Sequence, residues 1–223
     1  MTSFKKMREN MILGQFLPGL IKNKKIIEIF SNVEREFFLN EDLKALAYSD
    51  LNLRIKKNRY LVSPFNFAKI LETSEIKEKE MVLLIGSGVG YETMIMSKIA
   101  GTVISMEEDK DLFKISEENL NNFDLENVVN VNFFHSDGFE KHAPYDVIII
   151  LGAIDEPNEK ILKQLSDKGR LLVCETVHSN LEESKLTVYY KYKNNYVKRK
   201  LFDLNLPKLL SLKKESNLFK LIS

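Results

Sequence analysis

The sequence predicts an α/β fold with a mostly parallel seven-stranded sheet, an antiparallel C-terminal hairpin and a helical N-terminal extension. Short apolar runs alternate with helix-like segments from residue 81 onward, which is typical of a parallel sheet with crossover connections. Two β-rich runs near the end predict the hairpin, and apolar residues at helical spacing before residue 75 predict the extension. A chain of 223 residues is long enough for one such domain.

The five parallel strands are predicted from buried apolar runs at Met81–Ile85, Thr102–Met106, Val128–Phe134, Tyr145–Leu151 and Leu171–Glu175. Helical patterns separate them, reaching Ile99 after the first strand and then covering Leu112–Leu120 and Glu159–Leu165. The runs Leu186–Tyr192 and Tyr196–Leu201 predict the hairpin, with Lys193-Asn194-Asn195 as the turn between them.

We divide the chain into a helical extension, residues 1–75, and an α/β domain, residues 76–223, and expect one compact unit. The extension reads as short helices, with apolar residues recurring around Ile26–Phe30 and Leu43–Ala47. Ser63-Pro64 marks a break before a further helix. Such an extension would form a cap beside the α/β domain.

Composition narrows the function classes. A net charge of +1 offers no strong electrostatic case for a nucleic-acid partner, and no run approaches the length of a membrane span. No apolar segment follows Met1–Lys6, so we expect no signal peptide. The single cysteine, Cys174, lies in an apolar run, which predicts a buried thiol, a reducing compartment and a cytoplasmic protein.

A glycine-rich loop, Gly86-Ser87-Gly88-Val89-Gly90, follows the first predicted strand and opens a helix. Glycines permit a tight turn and a close ligand, and the helix start presents free N–H groups that suit a carboxylate or a phosphate. Tyr91 stands where a dinucleotide fingerprint has its third glycine, and no P-loop lysine follows. The compact form favours S-adenosylmethionine over NAD, and we assign Gly86, Ser87, Gly88, Gly90 and Tyr91 to cofactor binding.

Two further loops follow neighbouring strands. Glu107 ends the second strand, where a carboxylate can accept hydrogen bonds from both ribose hydroxyls. Asp137-Gly138 follows the third strand, where the carboxylate can accept from an adenine amino group and the glycine lets the backbone pass under the ring. The nearby acidic residues are expected to stabilise the start of the next helix; they are Glu108, Asp109 and Asp111.

These residues resemble the protein-L-isoaspartate O-methyltransferase family over nearly the whole chain. Val82–Tyr91 looks like its first motif, Ser136-Asp137-Gly138 with Ala143–Asp146 like a second stretch, and Gln164–Leu171 like a third. The opening Arg8–Met11 with Gln15 and the closing Leu201–Asp203 with Pro207 resemble its short alphaproteobacterial branch. The resemblance implies a Rossmann-like methyltransferase that uses S-adenosylmethionine, repairs L-isoaspartyl residues of damaged proteins, and is a monomer or weak homodimer.

The resemblance also implies an acceptor site, at the stretch Tyr60–Asn66. Val62 stands where the family has a serine and Ser63 lies one residue further, so Ser63 is the catalytic candidate and Arg59, Val62, Ser63 and Pro64 the acceptor-side residues. Leu84 replaces the acidic residue of the first motif. Three hypotheses therefore stay open: isoaspartyl methylation, methylation of another acceptor, and a cofactor-binding module without catalysis.

A carboxylate acceptor needs little chemical machinery. It is already an anion near neutral pH, so no strong general base is required. Catalysis can come from holding the acceptor oxygen and the methyl carbon in line and from excluding water. The three histidines lack metal-ligand spacing, so we expect no metal and interpret them as ordinary surface or turn residues; they are His135, His142 and His178.

Overall fold

The computed structural model describes residues 3–177 and 183–212. Seven α-helices occur in these ranges: α1 Phe4–Met11, α2 Lys24–Asn32, α3 Glu41–Lys44, α4 Pro64–Ser74, α5 Tyr91–Ser97, α6 Lys110–Leu120 and α7 Glu159–Lys163. The same ranges hold nine strands: β1 Leu53–Lys56, β2 Arg59–Leu61, β3 Met81–Ile85, β4 Thr102–Glu107, β5 Val128–Asn132, β6 Tyr145–Ile154, β7 Leu165–Thr176, β8 Ser184–Tyr192 and β9 Asn195–Asp203. No helix in the described part of the chain is long and apolar enough to cross a membrane.

The main sheet has seven strands in the order β5-β4-β3-β6-β7-β8-β9, which confirms the predicted architecture. Strands β3 to β7 pair in parallel, and β8 and β9 pair antiparallel at one edge. Strand β7 begins six residues earlier than predicted, because Leu165 pairs with Tyr145; the predicted helix 159–165 therefore ends at Lys163. A two-residue turn, Lys193-Asn194, joins the hairpin, and Asn195 already belongs to β9.

Both faces of the sheet are buried, as the continuous apolar strands require. In β3, Val82 and Leu84 join an apolar cluster with the N-terminal helices and α6, while Leu83 and Ile85 join a second cluster on the opposite face with α7. The first cluster contains residues from both sides of the predicted boundary at residue 75, and that boundary remains a prediction. Leu84 is a fully buried core residue.

The first 75 residues are not helical throughout. Strands β1 and β2 form a separate antiparallel hairpin in which Leu53 pairs with Leu61. Asn58, in the turn, adopts a φ of +60°, the left-handed conformation that asparagine tolerates well. The prediction of helices alone was therefore wrong here, since a turn of this kind reverses the chain and sets two short strands side by side.

A segment that we call the C-terminal strap, residues 204–212, runs back across the carboxyl ends of the strands. The Ala153 N–H donates to the Pro207 carbonyl at 2.9 Å, and the Leu209 N–H donates to the Ala153 carbonyl at 2.9 Å. The strap is thereby fixed to the end of β6. The hairpin β1–β2 reaches the same edge of the sheet, because Ile55 and Arg59 both lie against the glycine loop.

Candidate active site

The glycine loop after β3 has a backbone that demands glycine. Gly86, Gly88 and Gly90 all have positive φ, at +85°, +57° and +95°. The N–H groups of Gly86 and Ser87 donate to the Met106 carbonyl at 2.9 and 3.2 Å, which ties the loop to the end of β4. The Ser87 hydroxyl is buried and has no hydrogen-bond partner among the described residues. The loop thus presents polar groups at the start of α5.

Glu107, the last residue of β4, is fully buried and accepts four hydrogen bonds. The backbone N–H groups of Gly88 and Asp109 donate to its two oxygens at 2.8 and 2.9 Å. The two terminal nitrogens of Arg59 donate to the same oxygens at 2.7 and 2.5 Å. Burial raises the pKa of the Glu107 carboxyl, and Arg59 with the two N–H groups opposes that rise.

Arg59, which the sequence analysis assigns to the acceptor side, makes its contacts with Glu107. Its side chain is only 12% exposed and pairs in bidentate fashion with that carboxylate. The pairing arises because Arg59 opens β2, and the hairpin carries it over the glycine loop, where Nη2 lies 3.7 Å from a Cβ built on Gly86. Arg59 therefore lies on the predicted ribose carboxylate.

The predicted adenine loop is held by a residue to which sequence reasoning gave no role. The Gln164 amide donates to the Asp137 carbonyl at 2.7 Å and accepts from the Phe139 N–H at 2.8 Å. Gly138 has a φ of +62°, and a Cβ there would lie 2.6 Å from the Gln164 amide. Position 138 therefore requires glycine, because any larger side chain would collide with the Gln164 amide. The Asp137 carboxylate is partly exposed and accepts from the Lys160 ammonium at 2.8 Å.

His135 lies in a 3-10 turn but is fully buried, so its interpretation as a surface histidine was wrong. Its Nε2 accepts from the Glu108 N–H at 3.1 Å, which places the proton on Nδ1 for a hydrogen bond to the Ser211 hydroxyl at 2.7 Å. Burial, with Arg59 nearby, lowers the pKa of His135 to about 3. A neutral His135 thus connects the strap to the end of β4, and its Nε2 lies 3.6 Å from Glu107 Oε1.

The remaining histidines and the single cysteine give no sign of metal or redox chemistry in the described part of the chain. His142 stacks on Phe139 with ring centroids 5.4 Å apart, and His178 lies outside the described residues. Within the described ranges, no group of three His, Cys, Asp or Glu side chains could hold a metal ion. Cys174 is buried, as predicted, and burial raises the pKa of its thiol to about 12.

The acidic residues after Glu107 have separate partners. Asp109 accepts from the N–H groups of Asp111 and Leu112 at 3.0 and 3.1 Å, so it caps α6 as predicted. It also accepts from the Lys56 ammonium, which lies on the β1–β2 hairpin. Glu108 instead accepts from the His135 N–H at 2.9 Å. The hairpin is therefore joined to this edge of the sheet by ion pairs at both Asp109 and Glu107.

The predicted acceptor residues are buried. Val62 and Ser63 are 2% and 1% exposed, and Pro64 is buried as the first residue of α4. The Ser63 hydroxyl accepts from the Asn66 N–H at 3.2 Å, which makes it the N-cap of α4. The Val62 carbonyl accepts from the buried Arg35 guanidinium at 2.8 Å. The Ser63 hydroxyl and the Val62 carbonyl therefore fix the stretch that follows Arg59.

Tyr91 points away from the loop. It is fully buried, and its ring lies under the Arg35 guanidinium at 4.6 Å and against Phe30 and Phe38. The side chain thus packs with the N-terminal helices, and only the backbone of Tyr91 could contact a cofactor.

A cavity of about 190 Å³ opens between the hairpin turn and the strap. Asn58, Tyr60, Thr176 and Pro207 are among the residues that line it. A much smaller cavity, which Arg59 lines, adjoins it and shares Asn58, Tyr60 and Pro207. Tyr60 and Val62 of the predicted acceptor stretch line the smaller cavity, and Tyr60 also lines the larger one.

The residues at this edge fit a nucleoside. They offer a buried carboxylate for a diol, loop N–H groups at a helix start, and a second loop at Asp137. A Cβ on Gly88 would meet only the Ile55 side chain, at 3.2 Å, and one on Gly86 would lie 3.4 Å from Leu209. Gly88 thus leaves space that the Ile55 side chain of the hairpin covers, whereas Gly86 lies beside both the Leu209 side chain of the strap and the Leu151 carbonyl.

A glycine loop after the first parallel strand and a carboxylate at the end of the second define the class of the chain. It is a Rossmann-like methyltransferase, and the residues at this edge fit S-adenosylmethionine as its cofactor. The model of the protein-L-isoaspartate(D-aspartate) O-methyltransferase (PCMT) family matches residues 6–203, and the chain belongs to that family.

Individual relatives agree with this assignment. A protein-L-isoaspartate O-methyltransferase of Thermosipho melanesiensis is 34% identical over 68% of this chain and 78% of its own. One of Protochlamydia amoebophila is 33% identical over 82% of this chain and 90% of its own. A solved structure from Plasmodium falciparum, a beta-aspartate methyltransferase (PCMT) in complex with S-adenosyl-L-homocysteine, matches with a TM-score of 0.71 and 21% identity, covering 94% and 99% of the two chains. That last likeness supports the fold.

Proposed function

We propose that the chain methylates the side-chain carboxylate of L-isoaspartyl residues in damaged proteins. The observation that carries the proposal is Glu107, a buried carboxylate that accepts from the glycine loop and lies beside Arg59 of the β1–β2 hairpin. The carboxylate suited to a nucleoside, Glu107, and the guanidinium suited to an anion, Arg59, therefore lie within hydrogen-bond distance of each other. The names of the relatives supply the substrate class.

When bound, the cofactor would supply a methyl group on a positively charged sulfur. The acceptor oxygen would bond to the methyl carbon, and the sulfur would leave as a neutral thioether. The protein's part is to bind and orient both reactants. Glu107 would accept from the ribose hydroxyls of the cofactor, the Gly88 N–H fixes the Glu107 carboxylate, and the ionised acceptor needs no base. Leu209 and Ile55 cover the glycine loop and exclude water, which strengthens the nucleophile.

The acceptor enters through the cavity of about 190 Å³ beside Tyr60. Ser63 and Val62 position this stretch, because the Ser63 hydroxyl caps α4 and the Val62 carbonyl is fixed by Arg35. Val62 also lines the smaller adjoining cavity. We extend the proposal to a cytoplasmic protein, consistent with its buried free Cys174, that is a monomer or weak homodimer with no nucleic-acid or membrane partner.

The test is transfer of a tritiated methyl group to an isoaspartyl peptide, with the aspartyl peptide of the same sequence as control. We expect base-labile methyl ester on the isoaspartyl peptide alone, and a higher rate in Val62→Ser, which returns the family's hydroxyl. Label on neither peptide but on proteins of a cell lysate would assign another acceptor. No label on any of them, with S-adenosylhomocysteine still bound, would leave a binding module.

A further inference from the structure

Glu107 has no spare capacity for a ribose. A carboxylate offers about four acceptor positions, and all four are used by Gly88, Asp109 and the two nitrogens of Arg59. Two ribose hydroxyls on this carboxylate would need two of those positions. Two of the present donors must therefore leave.

The donors that can leave belong to Arg59. The Gly88 N–H is part of a loop tied to the Met106 carbonyl, and the Asp109 N–H belongs to the residue that caps α6. Arg59 reaches Glu107 with a long side chain from β2, a three-residue strand. Its guanidinium can rotate away without breaking a backbone hydrogen bond.

The direction of that movement leads to the acceptor side. Arg59 lines the small cavity that adjoins the larger one at Tyr60 and Pro207. A guanidinium binds a carboxylate through two parallel hydrogen bonds, the geometry it already shows on Glu107. A released Arg59 thus meets the acceptor's negative charge beside the cofactor site.

We propose that Arg59 is a displaceable counter-ion: it leaves Glu107 when ribose hydroxyls bind there, and its guanidinium then receives the acceptor carboxylate. The inference rests on the proposed function, which it deepens by assigning the specificity-determining residue. It makes binding ordered, with cofactor first. Binding of either ligand should raise the affinity for the other, because both require Arg59 to leave Glu107 and coupling between two sites is reciprocal.

The first experiment measures S-adenosylhomocysteine affinity by calorimetry in the full chain. Arg59→Gln removes the guanidinium that competes with the ribose for Glu107. We expect the affinity for S-adenosylhomocysteine to rise roughly tenfold, which corresponds to about one hydrogen bond to a charged group. Arg59→Lys, which can make one contact in place of two, should fall between. Arg54→Gln removes an exposed positive charge from the same hairpin and should leave the affinity unchanged. Equal or weaker binding in Arg59→Gln would overturn the proposal.

The second experiment measures affinity for a fluorescent isoaspartyl peptide with and without saturating S-adenosylhomocysteine. The wild type should bind the peptide more tightly with the nucleoside present, and Arg59→Gln should bind it weakly under both conditions. Equal peptide affinity with and without the nucleoside in the wild type would refute the release of Arg59. If the peptide binds under neither condition while Arg59→Gln binds the nucleoside more tightly, the isoaspartyl function fails and the counter-ion role stands.

Discussion

Replacing Glu107 with glutamine would test the hydrogen bonds that organise the site. Each Glu107 oxygen accepts one backbone N–H and one Arg59 nitrogen. A glutamine side chain has one oxygen and one NH₂ group, so two of the four hydrogen bonds are lost whichever way the amide turns. At about 1.5–3 kcal/mol for each of the two lost hydrogen bonds to a charged group, the free energy of unfolding should fall by about 3–6 kcal/mol.

Urea unfolding measures this loss, and calorimetry on the folded variant should show no S-adenosylhomocysteine binding. Glu108→Gln is the matched control, because Glu108 accepts a single backbone hydrogen bond, from His135, and is about a third exposed. Its expected loss is about 1 kcal/mol. Equal losses in the two variants, or undiminished nucleoside binding in Glu107→Gln, would refute the assignment of Glu107 as the ribose carboxylate.

Three further predictions concern the loop, the buried histidine and the helix cap. Gly88→Ala should abolish S-adenosylhomocysteine binding in calorimetry and cost about 1–2 kcal/mol in urea unfolding, because φ is +57° there; unchanged affinity would remove the loop from the site. Below pH 6.5 the unfolded chain protonates His135 while the native histidine, with a pKa of about 3, stays neutral. The wild type should therefore lose about 1.4 kcal/mol per pH unit relative to His135→Gln between about pH 6 and pH 4, and parallel urea-derived stability curves would contradict this. Ser63→Ala should lower stability by about 1 kcal/mol, whereas Ser63→Asn retains a cap and should retain methyl transfer; loss of transfer in both would assign the hydroxyl to the acceptor.

Much of the sheet was predictable because its strands are signalled locally. Continuous apolar runs such as Met81–Ile85 have no polar face, so they indicate strands covered on both sides. Parallel strands also bring their carboxyl ends to one edge, which is why the glycine loop and Glu107 could be placed together from sequence order alone.

The contacts that complete the site were not predictable in the same way. Arg59 meets Glu107 across 48 positions, and Ser211 meets His135 across 76, so no local pattern records either pair. The β1–β2 hairpin did leave a signal: Asn58 suits a left-handed turn, and Leu53 and Ile55 alternate with polar residues before it. Strands of three and four residues are too short for that alternation to stand out from helical spacing.

Crystallography of the chain with S-adenosylhomocysteine tests the central claim most directly, since that claim is positional. We expect both ribose hydroxyls at about 2.6–3.0 Å from the Glu107 oxygens, the normal range for such bonds, with Arg59 withdrawn towards Tyr60. A ribose bound away from Glu107, or one bound there with the Arg59–Glu107 pair intact, would contradict the account.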